Sequence, residues 1–207
     1  MSGNSADRRA RIAGAAAELF LARGYAGVTM EDVVTEVGGS KATLYRYFPD
    51  KTELFRAAVE LRIGELSEPL RTFRPGHRDV AATLRKFGRH FADIVLNPAA
   101  IKLHRLIQSE AERIPGPGRI FLELGPATGN AILGSYLAQL CREGKLELAD
   151  PVLSAGQLFH AMLGEFQTRM LMDPAARPSR REVDRAIATA VQTFLHGASA
   201  GPAQRAR

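Results

Sequence analysis

Apolar residues recur at helical spacing from one end of the chain to the other, and no alternating run bounded by turn residues reads as a strand. Ile12, Ala16, Leu19 and Phe20 share one face of a first helix, which stops at Arg23-Gly24. Thr29 offers an N-cap with Asp32 three residues on, a capping box in which Asp stands where Glu is usual. Met30, Val33, Val34 and Val37 then form the apolar face of a short second helix, ended by Gly38-Gly39. Ser40 caps a third, with Leu44 and Phe48 inward. Pro49 breaks it, and Asp50-x-x-Glu53 caps a fourth that buries Leu54, Ala58 and Leu61.

The remainder is punctuated as clearly. Pro75-Gly76 precedes a helix with Leu84, Phe87, Phe91, Ile94 and Val95. Asn97-Pro98 is a cap followed by proline at the first helical position, opening a helix with Ile101, Leu103, Leu106 and Ile107. Pro115-Gly116-Pro117-Gly118 is a breaker, and Gly125-Pro126 parts the segments at 118–124 and 126–143. Asp150-Pro151 starts a helix to about Met172, and Ser179-x-x-Glu182 caps the last, to about His196. The pattern predicts an all-α protein: three short helices, one connecting helix over 50–68, then five or six longer ones. A first domain spans 1–50 and a second 51–197, and the Ala/Gly/Pro/Arg-rich stretch 198–207 reads as a disordered tail.

Composition changes little in that picture. The chain has 207 residues, 45% hydrophobic and 24% charged, as a folded soluble protein has. Its single cysteine, Cys141, forms no internal disulfide, and the N-terminus lacks the apolar core of a signal peptide. With no membrane-length apolar run either, a cytoplasmic location is expected. The net charge is +6, which suggests nucleic acid. The distribution argues otherwise: residues 1–51 hold seven Lys/Arg against six Asp/Glu, and much of the excess lies in Arg177, Arg180, Arg181, Arg185, Arg205 and Arg207. Local chemistry must carry the case.

That chemistry is concentrated in GGSKATLYRYFPDKTELF, Gly38 to Phe55. Two short helices joined by Val37-Gly38-Gly39-Ser40 follow the helix-turn-helix plan, whose second helix enters the major groove. Leu44 and Phe48, four apart, face inward. Lys41, Ala42, Tyr45 and Arg46 fall on other faces, open to DNA. Ala42 lets the helix approach the bases and offers its methyl to a thymine methyl, and Lys41 suits guanine or phosphate. The Ser40 and Thr43 hydroxyls suit phosphate, and Tyr45 and Tyr47 present a ring with a hydroxyl. Lys51, opening the next helix, is placed for backbone contact.

The stretch Ala10 to Phe55 resembles the DNA-binding domain of the tetracycline-repressor (TetR) family. The matching residues are Ala16, Leu19-Phe20, Gly24-Tyr25, Val28-Thr29, Val33, Val37-Gly38, Ser40, Thr43 to Phe48, Lys51 and Leu54-Phe55. Two positions depart: Val34 stands for a usual Ala, and Gly39 for a usual Val. Gly39 is expected to loosen the turn at about 1 kcal/mol. Glu31 sits where some members place a base-reading residue, and phosphate repels it. The second helix is therefore expected to reach phosphate through Thr29 only. Segments such as LRKFGRHFADIVLNPAA and LIQSEAERIPG resemble the AefR-like subgroup.

The resemblance implies a homodimer whose last two helices join the partner's, a double-stranded DNA operator, and a small-molecule pocket among the middle helices, with no cofactor. Candidate pocket residues are Phe87, His90, Phe91, Ile94, Leu103, Ile107, Phe121, Phe159, Met162 and Phe166. The small-residue stripe Gly156, His160, Gly164 and Thr168, with Val183, Ile187, Val191 and Phe194, reads as a dimer seam in the family's context and as plain core without it. The implied function is a repressor released by a small apolar or amphipathic ligand. A ligand-independent or activating regulator is the alternative. An all-helical enzyme stands last, since no phosphate loop, nucleophile elbow or carboxylate pair occurs. The five histidines form no metal-binding pair at i, i+4 spacing. His90 and His104 suit a pocket or an ordinary polar role, and Cys141 beside Arg142 suits packing or a reactive thiol.

Overall fold

The structure, a computed structural model, describes residues 2–76 and 79–197. The expected tail 198–207 and His77 lie outside those residues. Ten α-helices follow one another and no strand occurs among the described residues. They are α1 (Ser2–Arg23), α2 (Met30–Val37), α3 (Lys41–Tyr47), α4 (Lys51–Arg71), α5 (Val80–Val95), α6 (Pro98–Glu110), α7 (Pro117–Leu124), α8 (Pro126–Arg142), α9 (Pro151–Met172) and α10 (Arg180–His196).

The caps lie where the sequence puts them. Thr29 and Asp32 form a full capping box, as do Ser179 and Glu182. The side chains of Ser40, Asp50, Asn97 and Asp150 accept backbone N–H groups at the starts of α3, α4, α6 and α9. One expectation is corrected. The first helix is not short: it runs for 22 residues, because Ser2–Arg11 continue it beyond the apolar stripe that made it legible. After α4 come six helices, of which α7 has only eight residues.

Packing divides the described residues into two compact units, one from residues 2–72 and 94–132, the other from residues 73–76, 79–93 and 133–197. In the first, α1 lies on α2 and α4, α2 on α3, and α4 on α6 and α7. Its centre is aromatic: the Phe20 and Phe55 rings meet edge-on at 5.1 Å, and Tyr25 lies 5.7 Å from Phe20 and 5.1 Å from Phe55. Leu44 of α3 and Phe48 just beyond it are buried in the same core, which fixes the roll of α3. Leu61 is only half-buried; Ile63 takes the inward place further along α4.

In the second unit α9 and α10 pack along each other, and α5 comes close to both. A Cβ on Gly88 would stand 2.8 Å from Met162 Sδ and 2.9 Å from Ile187 Cγ2, so only glycine permits that approach. Phe87, Phe91 and Phe159 cluster there, with ring centres 5.5 Å apart for Phe87–Phe159 and 3.9 Å for Phe91–Phe159.

Candidate nucleic-acid interface

Helix α3 is two turns long, and its two faces differ completely. Leu44 is buried, while Ser40, Lys41, Ala42, Tyr45 and Arg46 are exposed and Thr43 and Tyr47 half-buried. A tyrosine 45% exposed on a short helix does not contribute to the core. Its neighbour one turn back is Lys41, so a flat ring and a cation project together from the same face. Ala42 between them leaves the backbone approachable.

The turn is held from within. Ser40 Oγ accepts the Thr43 N–H at 3.2 Å and lies 3.0 Å from Thr43 Oγ1. Gly38 and Gly39 have φ of 72° and 124°, where a side chain is strained. Gly39 therefore does more than loosen the turn: its backbone conformation requires glycine, and a Cβ there would meet Arg8 Nη2 at 3.0 Å.

The electrostatics contain two features that spacing did not show. Lys41 forms an ion pair with Glu31 across the turn. The hydrogen bond to Lys41 holds the Glu31 carboxyl below its usual range, and the same bond raises the Lys41 ammonium. Glu31 thus stands beside the exposed face of α3 rather than away from it. Thr29 is similarly engaged: its hydroxyl donates to Asp32 Oδ2 at 2.6 Å and accepts the Asp32 N–H at 3.1 Å. Its one proton is committed to the cap.

Lys51 is half-buried over the Tyr25 ring, 4.2 Å from its centre, and desolvation lowers its ammonium pKa. At the end of α3, the Arg46 guanidinium lies 5.1 Å from the Tyr47 ring centre. Hydrogen bonding to Ser5, then to Arg46, makes the Tyr47 phenol more acidic than usual.

Residues 82–197 match the model of the AefR-like transcriptional repressor C-terminal domain, and residues 12–58 match that of the bacterial regulatory proteins of the tetR family. The chain belongs to the TetR family of transcriptional regulators. Its members bind DNA and are not enzymes. Among solved structures, a TetR-family regulator from Mesorhizobium loti MAFF303099 is similar with a TM-score of 0.78 and 29% identity, over 92% of this chain and 96% of that one. The flavonoid-responsive regulator FrrA follows at 0.77 and 26%, with the same coverage. The transcriptional activator FasR of Mycolicibacterium smegmatis is 31% identical over 85 residues, 39% of each chain. The regulator YfiR of Bacillus subtilis is 34% identical over 94 residues, 37% of this chain and 46% of its own. The matches therefore span less than half the length of these two curated relatives.

The residues expected to line a TetR-type pocket fall in both units. Phe87, Phe159, Met162 and Phe166 are buried in the second, where Phe91 and His90 are half-buried. Ile94, Leu103, Ile107 and Phe121 belong to the first, and Leu103 and Ile107 are core residues there. His104, beside them on α6, lies tilted against Phe121 with ring centres 4.6 Å apart; its enclosed Nδ1 lacks a partner, and burial lowers its pKa.

Of the expected dimer seam, Ile187 and Val191 are buried within the single chain, which removes them from its exposed surface. They lie on the face of α10 that carries Ala190, with Ile187 turned toward Gly88 of α5. His160 and Thr168 are exposed, and Gly156, Gly164, Val183 and Phe194 half-buried. An open groove of about 790 Å³ runs along α9 and α10, lined by Gln157, Ala161, Phe166, Arg169, Thr189 and Phe194 among others. No helix among the described residues is long and apolar enough to cross a membrane.

Proposed function

We propose that the chain is a homodimeric, cytoplasmic repressor that a small apolar or amphipathic molecule releases from a palindromic operator. The observation that carries the reading is the exposed set Lys41, Ala42, Tyr45 and Arg46 on a helix anchored through buried Leu44 and Phe48. Ser40, Thr43, Tyr47 and Lys51 are the supporting contacts; Thr29, whose proton and backbone N–H both go to Asp32, has no donor left for a phosphate. Two-fold symmetry would present two such helices to successive major grooves, so the half-sites lie about one helical turn or a multiple apart.

The groove along α9 and α10 supports the dimer, because paired helices with small residues between them accept a second pair. Residues 1–50 act as the reading head and 51–197 as the ligand and dimer module, a division of roles and not of packing. A ligand enclosed by the aromatic cluster of Phe87, Phe91 and Phe159 favours the form whose reading heads no longer match the operator. It releases DNA only as far as its affinity differs between the two forms. The flavonoid response in FrrA's name supports an aromatic, amphipathic ligand class. The name of FasR supports an activating regulator as the second reading.

The test is sedimentation of the purified protein with and without a duplex from its own upstream region. A dimer that binds that duplex supports the reading. An Ala161→Glu chain that is folded, monomeric and weak on DNA places the dimer at the α9/α10 groove. A wild-type chain that binds DNA as a monomer contradicts the dimer.

A further inference from the structure

Helix α1 begins well before its apolar stripe, and the added residues lie against the helix-turn-helix. Arg8 is one turn ahead of Ile12, which is buried, so Arg8 continues the core-facing side of α1 past the edge of the core. That side meets the turn between α2 and α3. A Cβ on Gly39 would stand 3.0 Å from Arg8 Nη2, and Arg8 lines a void of about 10 Å³ with Gly38, Ser40 and Thr43. Gly39 and Arg8 thus form one arrangement: the absent side chain of one is the space of the other.

One nitrogen of the guanidinium there lacks an acceptor. Arg8 Nε is enclosed and has no hydrogen-bond partner, and among the described residues no carboxylate pairs with Arg8. Burying part of a cation without an acceptor is costly, and an anion that meets the rest of the half-buried Arg8 side chain offsets that cost. Two further cations lie nearby, with Asp7 the carboxylate next to Arg8 in the chain. Arg9 lies 5.0 Å over the Phe48 ring and Arg46 5.1 Å over Tyr47, and Arg8 and Arg46 both favour the ionised Tyr47 phenol.

We propose that Arg8 binds a DNA backbone phosphate, delivered to the helix-turn-helix from α1. A guanidinium fork matches two phosphate oxygens. Because Arg8 is tied by its helix to the edge of the core, it reaches the backbone beside the groove and reads no base. The contact is sequence-independent and adds to the footprint of α3. It rests on the DNA-binding reading given above.

The test is full-length protein titrated across salt on two duplexes, one from its own upstream region and one scrambled at the same length, with melting followed alongside. Arg8→Gln is expected to weaken both by the same factor and to make log K against log salt shallower by about 0.9 per subunit. Arg8→Lys keeps the slope, and Arg11→Gln, an exposed control on the same helix, leaves it unchanged. An unchanged slope in Arg8→Gln, with or without a lower melting temperature, overturns the contact and leaves Arg8 structural. An equal change in Arg11→Gln also overturns it, in favour of diffuse charge on α1. A wild type that binds neither duplex in a salt-dependent way overturns the DNA-binding reading itself, and the contact with it.

Discussion

Lys51 Nζ stands 4.2 Å from the centre of the Tyr25 ring, and the Tyr25 hydroxyl is 3.2 Å from Thr52 Oγ1. The first residue of α4 is thereby fixed against the chain between α1 and α2. Lys51→Ala is expected to weaken DNA binding and also to destabilise the fold by about 0.5–1 kcal/mol, the range for a cation over an aromatic face. Urea unfolding of the variant beside filter binding separates the two effects. Lost affinity at unchanged stability would remove the structural part.

Tyr45 isolates the reading role, because it is exposed and contributes to no core. Tyr45→Ala is expected to lower affinity for the upstream duplex tenfold or more, an effect of about 1.4 kcal/mol, with the melting curve unchanged. Equal affinity of variant and wild type would take Tyr45 out of the interface.

Glu31 pairs with Lys41 and puts a negative charge on the face proposed to meet DNA. Exposed pairs of this kind add little to stability. Glu31→Gln is expected to tighten binding to scrambled DNA and to steepen its salt dependence, since Lys41 is freed and a repulsion removed. Binding to scrambled DNA that is unchanged or weaker would show that the pair does not restrain Lys41.

Arg56 donates from Nε and Nη2 to the Pro115 carbonyl at 3.0 and 2.8 Å, tying α4 to the turn before α7. The next residue, Gly116, has φ 114°, and a Cβ there would meet Arg56 Nε at 2.9 Å. Gly116→Ala is expected to cost about 1–3 kcal/mol from backbone strain alone, measured by thermal unfolding. Wild-type stability would mean that the turn relaxes freely.

The helices and their starts were legible because they are local. Thr29 with Asp32, Ser40, Asp50, Asn97, Asp150 and Ser179 with Glu182 cap within three residues of themselves. The exposed face of α3 followed from Leu44 and Phe48 in the same way. What was missed depends on tertiary contact. Glu31 and Lys41 meet only once the turn has folded, and Arg8 reaches Gly39 only because α1 extends past its apolar stripe. Ile187 and Val191 could have belonged to a dimer seam or to a core, and periodicity does not distinguish the two. The approach of Gly88 to Ile187 does.

The most direct measurement of the central claim is the affinity of the protein for its upstream duplex over a range of salt, against a scrambled duplex. The account predicts preference for the upstream duplex by about three orders of magnitude or more, with affinity for both falling linearly as log salt rises. Equal affinity for the two duplexes at every salt concentration would contradict sequence reading by α3.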